Sequence, residues 1–243
     1  MNKKIFIFFI FAGFVFAADP VPLVNLTVAG TQQPSQFVKT INIAIILSLL
    51  ALAPTLLLMA TSFTRLIIVF SLLKQAMGLQ NTPPTQVLIS LALILTFYIM
   101  KPYSDVAWDK GIKPYMDEKI VYEQALYETT KPFKEFMLKN TREEDLALFY
   151  RIKKETNPAN IDAVNLTTLM PAFMVSELKT AFEIGFLLFL PFLVIDIIVS
   201  SILMSLGMMM LPPVMISLPI KLIFFIVIDG WSLVIGNLAQ SFK

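Results

Sequence analysis

The stretch INIAIILSLLALAPTLLLMATSFTRLIIVFSLL, Ile41–Leu73, decides the class of the fold. It is apolar throughout except for Arg65 and a few small polar residues. As one helix it would be ~50 Å long at 1.5 Å per residue. That is too long for a ~30 Å hydrocarbon core and too short for two spans of ~20 residues. Pro54 lies inside it and is expected to kink or break the helix. Three further apolar regions follow: Val87–Met100, Ala181–Met210 and Val214–Ile228. The second is short enough to be either a span or a buried helix. The third contains Glu183, Pro191 and Asp196, and the fourth contains Pro219 and Lys221.

Composition agrees with a membrane protein. Of 243 residues, 57% are hydrophobic and 15% charged, with a mean hydropathy of +0.76. A soluble domain carries about 25% charged residues, so lipid or partner subunits must cover much of this surface. The chain has neither Cys nor His. Disulfides, thiolate nucleophiles, imidazole bases and the usual zinc and haem ligands are thereby excluded. No metal site and no cofactor is expected.

Residues 1–17 read as a signal peptide: Lys3 and Lys4 form a positive start, Ile5–Phe16 is a short apolar run, and Ala17 closes it. Those two lysines account for the formal charge of +2, so the remainder balances, with no basic stripe for nucleic acid. Residues 18–40 read as a polar N-terminal segment, 41–100 as a first set of membrane helices and 169–243 as a second.

Between these sets, Lys101–Thr168 holds eleven basic and twelve acidic residues. Aromatic and charged residues alternate at helical spacing in Tyr122–Tyr127 and Phe133–Leu138. Glu143–Lys154 places Leu146, Phe149 and Ile152 on one side, which predicts a small helical domain. The connection Arg65–Gln86 carries Arg65 and Lys74 and no acid, which favours a cytoplasmic location. Together with the signal peptide, this places Lys101–Thr168 on the periplasmic side.

Arg65, Glu183, Asp196 and Lys221 sit in or beside apolar runs, where one charge costs about 2.5–3.5 kcal/mol at a helix centre. They either pair, line a polar path, or snorkel from helix ends. Lys221 is expected to pair with a carboxylate or backbone carbonyls at a subunit contact. Glu177 is expected in the first turn of a helix, where the dipole favours it. Gly207 precedes Met208, Met209 and Met210, and Pro212 and Pro213 follow. A helix arriving from upstream must stop there. The methionines then either fill core gaps or form an adaptable surface around a cavity.

Three blocks carry a resemblance. The first is Ser62-Phe63-Thr64-Arg65, with Ser71-Leu72-Leu73-Lys74-Gln75-Ala76-Met77-Gly78 and Gln80-Asn81-Thr82-Pro83-Pro84. The second is Pro171-Ala172-Phe173-Met174-Val175-Ser176-Glu177-Leu178-Lys179-Thr180-Ala181-Phe182. The third is Gly207-Met208-Met209-Met210 with Pro212-Pro213 and Ser217-Leu218-Pro219-Ile220-Lys221-Leu222. In order and spacing they resemble the FliP family of flagellar type III export-gate proteins, from Ile41 to the C-terminus. Met77, where an aliphatic residue such as Leu is expected, is a mild departure.

The resemblance implies an all-α integral membrane protein of bent helical hairpins, with the small helical periplasmic domain, assembling into a helical cone-like complex. It implies a place in the bacterial inner membrane and the flagellar basal body. FliQ and FliR would be the partners in the cone. FlhB, FlhA and a cytoplasmic ATPase would serve it, and unfolded flagellar subunits would pass through. Met208, Met209 and Met210 would close the pore, shaped by Gly207, Pro212 and Pro213, and Glu177 would face other subunits. No residue would be catalytic. The virulence-secretion relatives share much of this pattern. The signal peptide, the segment around Gln75 and Pro212–Pro213 favour the flagellar branch.

Two other functions remain to be weighed. An ion-coupled transporter would use Glu183, Asp196 and Lys221, but no inverted repeat is visible. An intramembrane serine protease would need a base, and only Lys221, four residues from Ser217, offers one.

Overall fold

The computed structural model describes residues 34–79, 81–155, 163–208 and 211–242. The signal peptide, Met209 and Met210 lie outside them. The described residues are helical, with no strand among them. The chain divides into two compact units, 1–51 and 52–243.

Helix α1, Pro34–Met59, runs across that division, and its apolar side chains at Ile43, Ile46 and Leu50 stand exposed. Pro54 lies within it without breaking it. The break falls at 60–62 instead, where Thr61 Oγ1 donates to the Leu58 carbonyl at 2.8 Å. The apolar stretch is therefore two helices. In the second, α2 (Phe63–Ala76), Leu66, Val69, Phe70 and Leu73 recur at helical spacing and are all buried. Gly78 at φ +76° ends α2: the Gly78 and Leu79 amides donate to the Gln75 and Lys74 carbonyls.

Helix α3, Thr85–Ala107, passes through a π-helical turn, Trp108–Ile112, into the short α4, Lys113–Met116. A Cβ on Gly111 would lie 2.2 Å from Thr129 Oγ1, so the π turn packs directly on α5, Tyr122–Asn140. Helix α6, Glu143–Lys153, follows. Leu146 packs against the smaller core described below, Ile152 is exposed, and Asp145 and Tyr150 are buried.

Helix α7, Leu166–Ser205, has 40 residues. At 1.5 Å each it is ~60 Å long, about twice a hydrocarbon core. Asn165 caps it by accepting from the Thr167 amide at 3.1 Å. Glu177 is therefore mid-helix, not in a first turn, and the dipole role expected for it does not hold. Helices α8 (Pro213–Val227) and α9 (Gly230–Gln240) meet at a 65° bend, where Asp229 has φ +51°.

Two apolar cores organise residues 52–243. The larger joins α2, α3, α7, α8 and α9 around Leu66, Phe70, Ala92, Ala181, Phe192, Phe225 and Leu238. The smaller gathers Met100, Phe136, Met137, Val164, Leu169 and Phe173. It draws on α3 and α7 as well as α5. The boundaries at 100/101 and 168/169 thus fall inside helices, and the charged region shares its core with its neighbours. By length and apolarity Ile41–Met59, Thr85–Met116 and Leu166–Ser205 can each cross a membrane, and the bent pair α8–α9 can form a fourth.

Candidate functional site: two buried ion pairs and a methionine turn

Arg65 on α2 and Glu177 on α7 face each other inside the chain, 3% and 0% exposed. Arg65 Nε donates to Glu177 Oε2 at 2.9 Å, and Nη2 donates to Oε1. This forked pair is the geometry a guanidinium makes best with a carboxylate. Nη1 also donates to Ser241 Oγ at 2.8 Å and to the Ser241 carbonyl at 3.0 Å. Arg65 neither snorkels nor sits in a connecting loop, so it casts no vote on orientation. Glu177 is enclosed by its own chain and presents no surface to another subunit.

Asp196 on α7 and Lys221 on α8 form the second pair, with Lys221 Nζ 2.7 Å from Asp196 Oδ2. Nζ also donates to the Ala76 carbonyl at the end of α2, at 3.1 Å. Ser217 Oγ donates to Asp196 Oδ1 at 2.6 Å. The pair is asymmetric: the lysine side chain is 4% exposed and the carboxylate 34%. The serine and the lysine both donate to the same carboxylate. The arrangement anchors α8 on α7 and α2 within one chain, not at a contact with another subunit.

Glu183 behaves differently. It takes a hydrogen bond from Arg142 Nη2 at 2.7 Å, with the arginine side chain 40% and the glutamate 60% exposed. Arg142 belongs to a third cluster that was not visible in the sequence. Ser176 Oγ donates to buried Asp145 Oδ2 at 2.7 Å and accepts the Arg142 amide at 3.0 Å. Lys179 Nζ closes on Asp145 Oδ1. Burial is the largest influence on the Asp145 carboxyl and pushes it up. The hydrogen bonds from Lys179 and Ser176, with the charges of Lys179 and Arg142, outweigh burial and hold it below the usual value. In the sequence Asp145 is indistinguishable from Glu143 and Glu144 beside it, which are solvated. The spacing of Ser176 and Lys179 on one face of α7 was the available signal.

The methionine turn begins where α7 ends. Gly207 has φ +72°, its amide donates to Met204 and that of Met208 to Leu203, both at 3.0 Å. This pairing satisfies the last carbonyls of the helix and needs a left-handed residue, which glycine supplies without strain. Met208 follows with 43% exposure. Pro212 then starts α8 from an extended conformation, and Pro213 is its first residue, where no amide is needed. Between α7, α8 and α9 lies a cavity of about 430 Å³ walled by Leu187, Pro191, Phe224, Ile228 and Leu233.

The comparisons bear on the whole of this arrangement. A family model described as the FliP family matches residues 46–238. The flagellar biosynthetic protein FliP of Bacillus subtilis is 46% identical over 217 residues, 89% of this chain and 98% of that protein. That of Caulobacter vibrioides is 50% identical over 205 residues, 84% of this chain and 77% of its own. That of Aquifex aeolicus is 44% identical over 245 residues, with both chains fully covered.

Proposed function

The chain belongs to the FliP family, as a membrane-associated subunit of the flagellar export apparatus, and on that premise we propose that its methionine turn seals the export channel. Several copies, joined by FliQ and FliR, surround an axis in the bacterial inner membrane. Residues 101–168 face the periplasm. FlhB and FlhA deliver unfolded flagellar subunits, which pass through the centre. The chain contributes walls and a closure, not catalysis.

The observation that carries this reading is the manner in which α7 stops. A 40-residue apolar helix ends in a complete left-handed cap, and an exposed methionine follows at once. Irregular backbone at membrane depth is tolerated only where protein or a water-filled cavity receives it. On one side of the turn, Lys221, Asp196 and Ala76 tie α8 to α7 and α2. The helices that flank the turn are thus tied to each other. Met208, Met209 and Met210 have three rotatable bonds each and no branch, so a ring of them excludes water yet moulds to any passing sequence.

A photo-crosslinking amino acid at Met208 tests the reading. With an export substrate stalled by a folded fusion, the expected product is a covalent adduct with that substrate. Adducts with lipid alone would overturn it.

A further inference from the structure

Helix α9 leads to the last described residues, Ser241 and Phe242, and these meet an unusual set of partners. The Ser241 hydroxyl and carbonyl both accept from Arg65 Nη1. The Phe242 ring lies 3.9 Å from the guanidinium carbon of Arg65. The same ring stacks on Phe136 of α5, with centroids 6.0 Å apart and planes 24° from parallel. Phe242 packs against both apolar cores, a property shared by none of its neighbours in α9. Asn140, at the end of α5, offers its Oδ1 to Arg65 Nη2 at 3.4 Å.

One buried guanidinium on α2 therefore touches three other segments: Glu177 of α7, Asn140 of α5 and the C-terminal pair. Helix α9 itself packs into the larger core through Val234 and Leu238, whereas Phe242 carries the contact on to the smaller one. A cation over an aromatic face gains most when both are desolvated, and Arg65 is 3% exposed.

We infer that Ser241 and Phe242 are positioning residues: a C-terminal latch that ties α9 to α5 through Arg65, so that the helices after the methionine turn and the charged region move as one body. The latch holds α9 from its far end, as Lys221 holds α8 from its middle. It does not depend on the channel reading, since it concerns only how two parts of one chain are joined. If Phe242 merely fills a gap, its replacement should loosen its immediate surroundings and nothing more.

The chain contains no cysteine, so single reporters can be placed in the full-length protein within its membrane complex. Val234→Cys reports on α9 and the larger core; Met137→Cys reports on α5 and the smaller one. Phe242→Leu keeps apolar volume and removes the ring face. The latch predicts that this change raises the rate of labelling by a small maleimide roughly tenfold at both reporters, the size of a lost desolvated cation–π contact. Phe242→Tyr should leave both at the parental rate. A rise at one reporter only, at neither, or equally with Tyr and Leu would overturn the latch. Should the Leu chain fail to accumulate, Ser241→Ala removes only the hydroxyl, and a smaller rise at both reporters is then required.

Discussion

At the scale of single residues, the dominant fact is the cost of enclosing Arg65. Breaking a buried ion pair by removing one partner costs about 3–5 kcal/mol, because the other charge is left stranded. Replacing both partners with apolar residues of similar size is often neutral. Glu177→Met and Arg65→Met should each abolish the assembled complex on native gels. The double change should recover a clear fraction of it, and failure to do so would mean that Arg65 is needed for its other contacts. The second pair predicts an asymmetry. Asp196 is one-third open to its surroundings and Lys221 is not. Asp196→Asn strands a buried ammonium, whereas Lys221→Met leaves a carboxylate that water can reach. We expect the Asn variant to lose several-fold more complex than the Met variant in the same assay. Arg65, Asp196 and Lys221 were legible as charges in apolar runs. Which residue pairs with which was not, because Arg65 and Glu177 are 112 positions apart and Asp196 and Lys221 are 25 apart. Spacing within one helix carries no information about contacts between helices.

At the scale of elements, turn chemistry was readable and helix continuity was not. Gly207 before two prolines announced the end of α7, and the left-handed cap is there. Pro54, Pro171, Pro191 and Pro219 all lie inside helices. Proline removes one hydrogen bond, and in an apolar helix the neighbouring backbone and packing make good the loss. At Gly207 an added Cβ would meet no atom of the described residues within 4 Å. The only penalty for Gly207→Ala is therefore the left-handed backbone, about 1–2 kcal/mol. The purified complex should melt a few degrees lower with Ala and less so with Asn, which tolerates that conformation. If Ala and Asn are equally harmful, the turn needs glycine for an approach by another chain. Gly185 is the opposite case: a Cβ there would lie 2.2 Å from Leu72 Cδ1, where α2 and α7 cross.

At the scale of the whole molecule, the exposed apolar side chains of α1, α7 and α8 require lipid or further subunits. Ile46, Leu50, Phe186, Ile223 and Ile226 are all more than half exposed. The charged region, by contrast, presents lysines and glutamates and is suited to water. Cysteines at Lys110 and Lys139, both exposed, should label with a membrane-impermeant maleimide in cells whose outer membrane is permeable. Labelling only after the inner membrane is broken would invert the topology. The central claim is that the methionine turn closes a channel. Its most direct test is ion flux through proteoliposomes holding the purified complex, compared with a variant carrying Met208→Ala, Met209→Ala and Met210→Ala. No buried charge is stranded by those changes, so equal amounts of complex should form. The account predicts that the parent holds an ion gradient and the variant dissipates it. A variant that assembles and holds the gradient as well as the parent would contradict it.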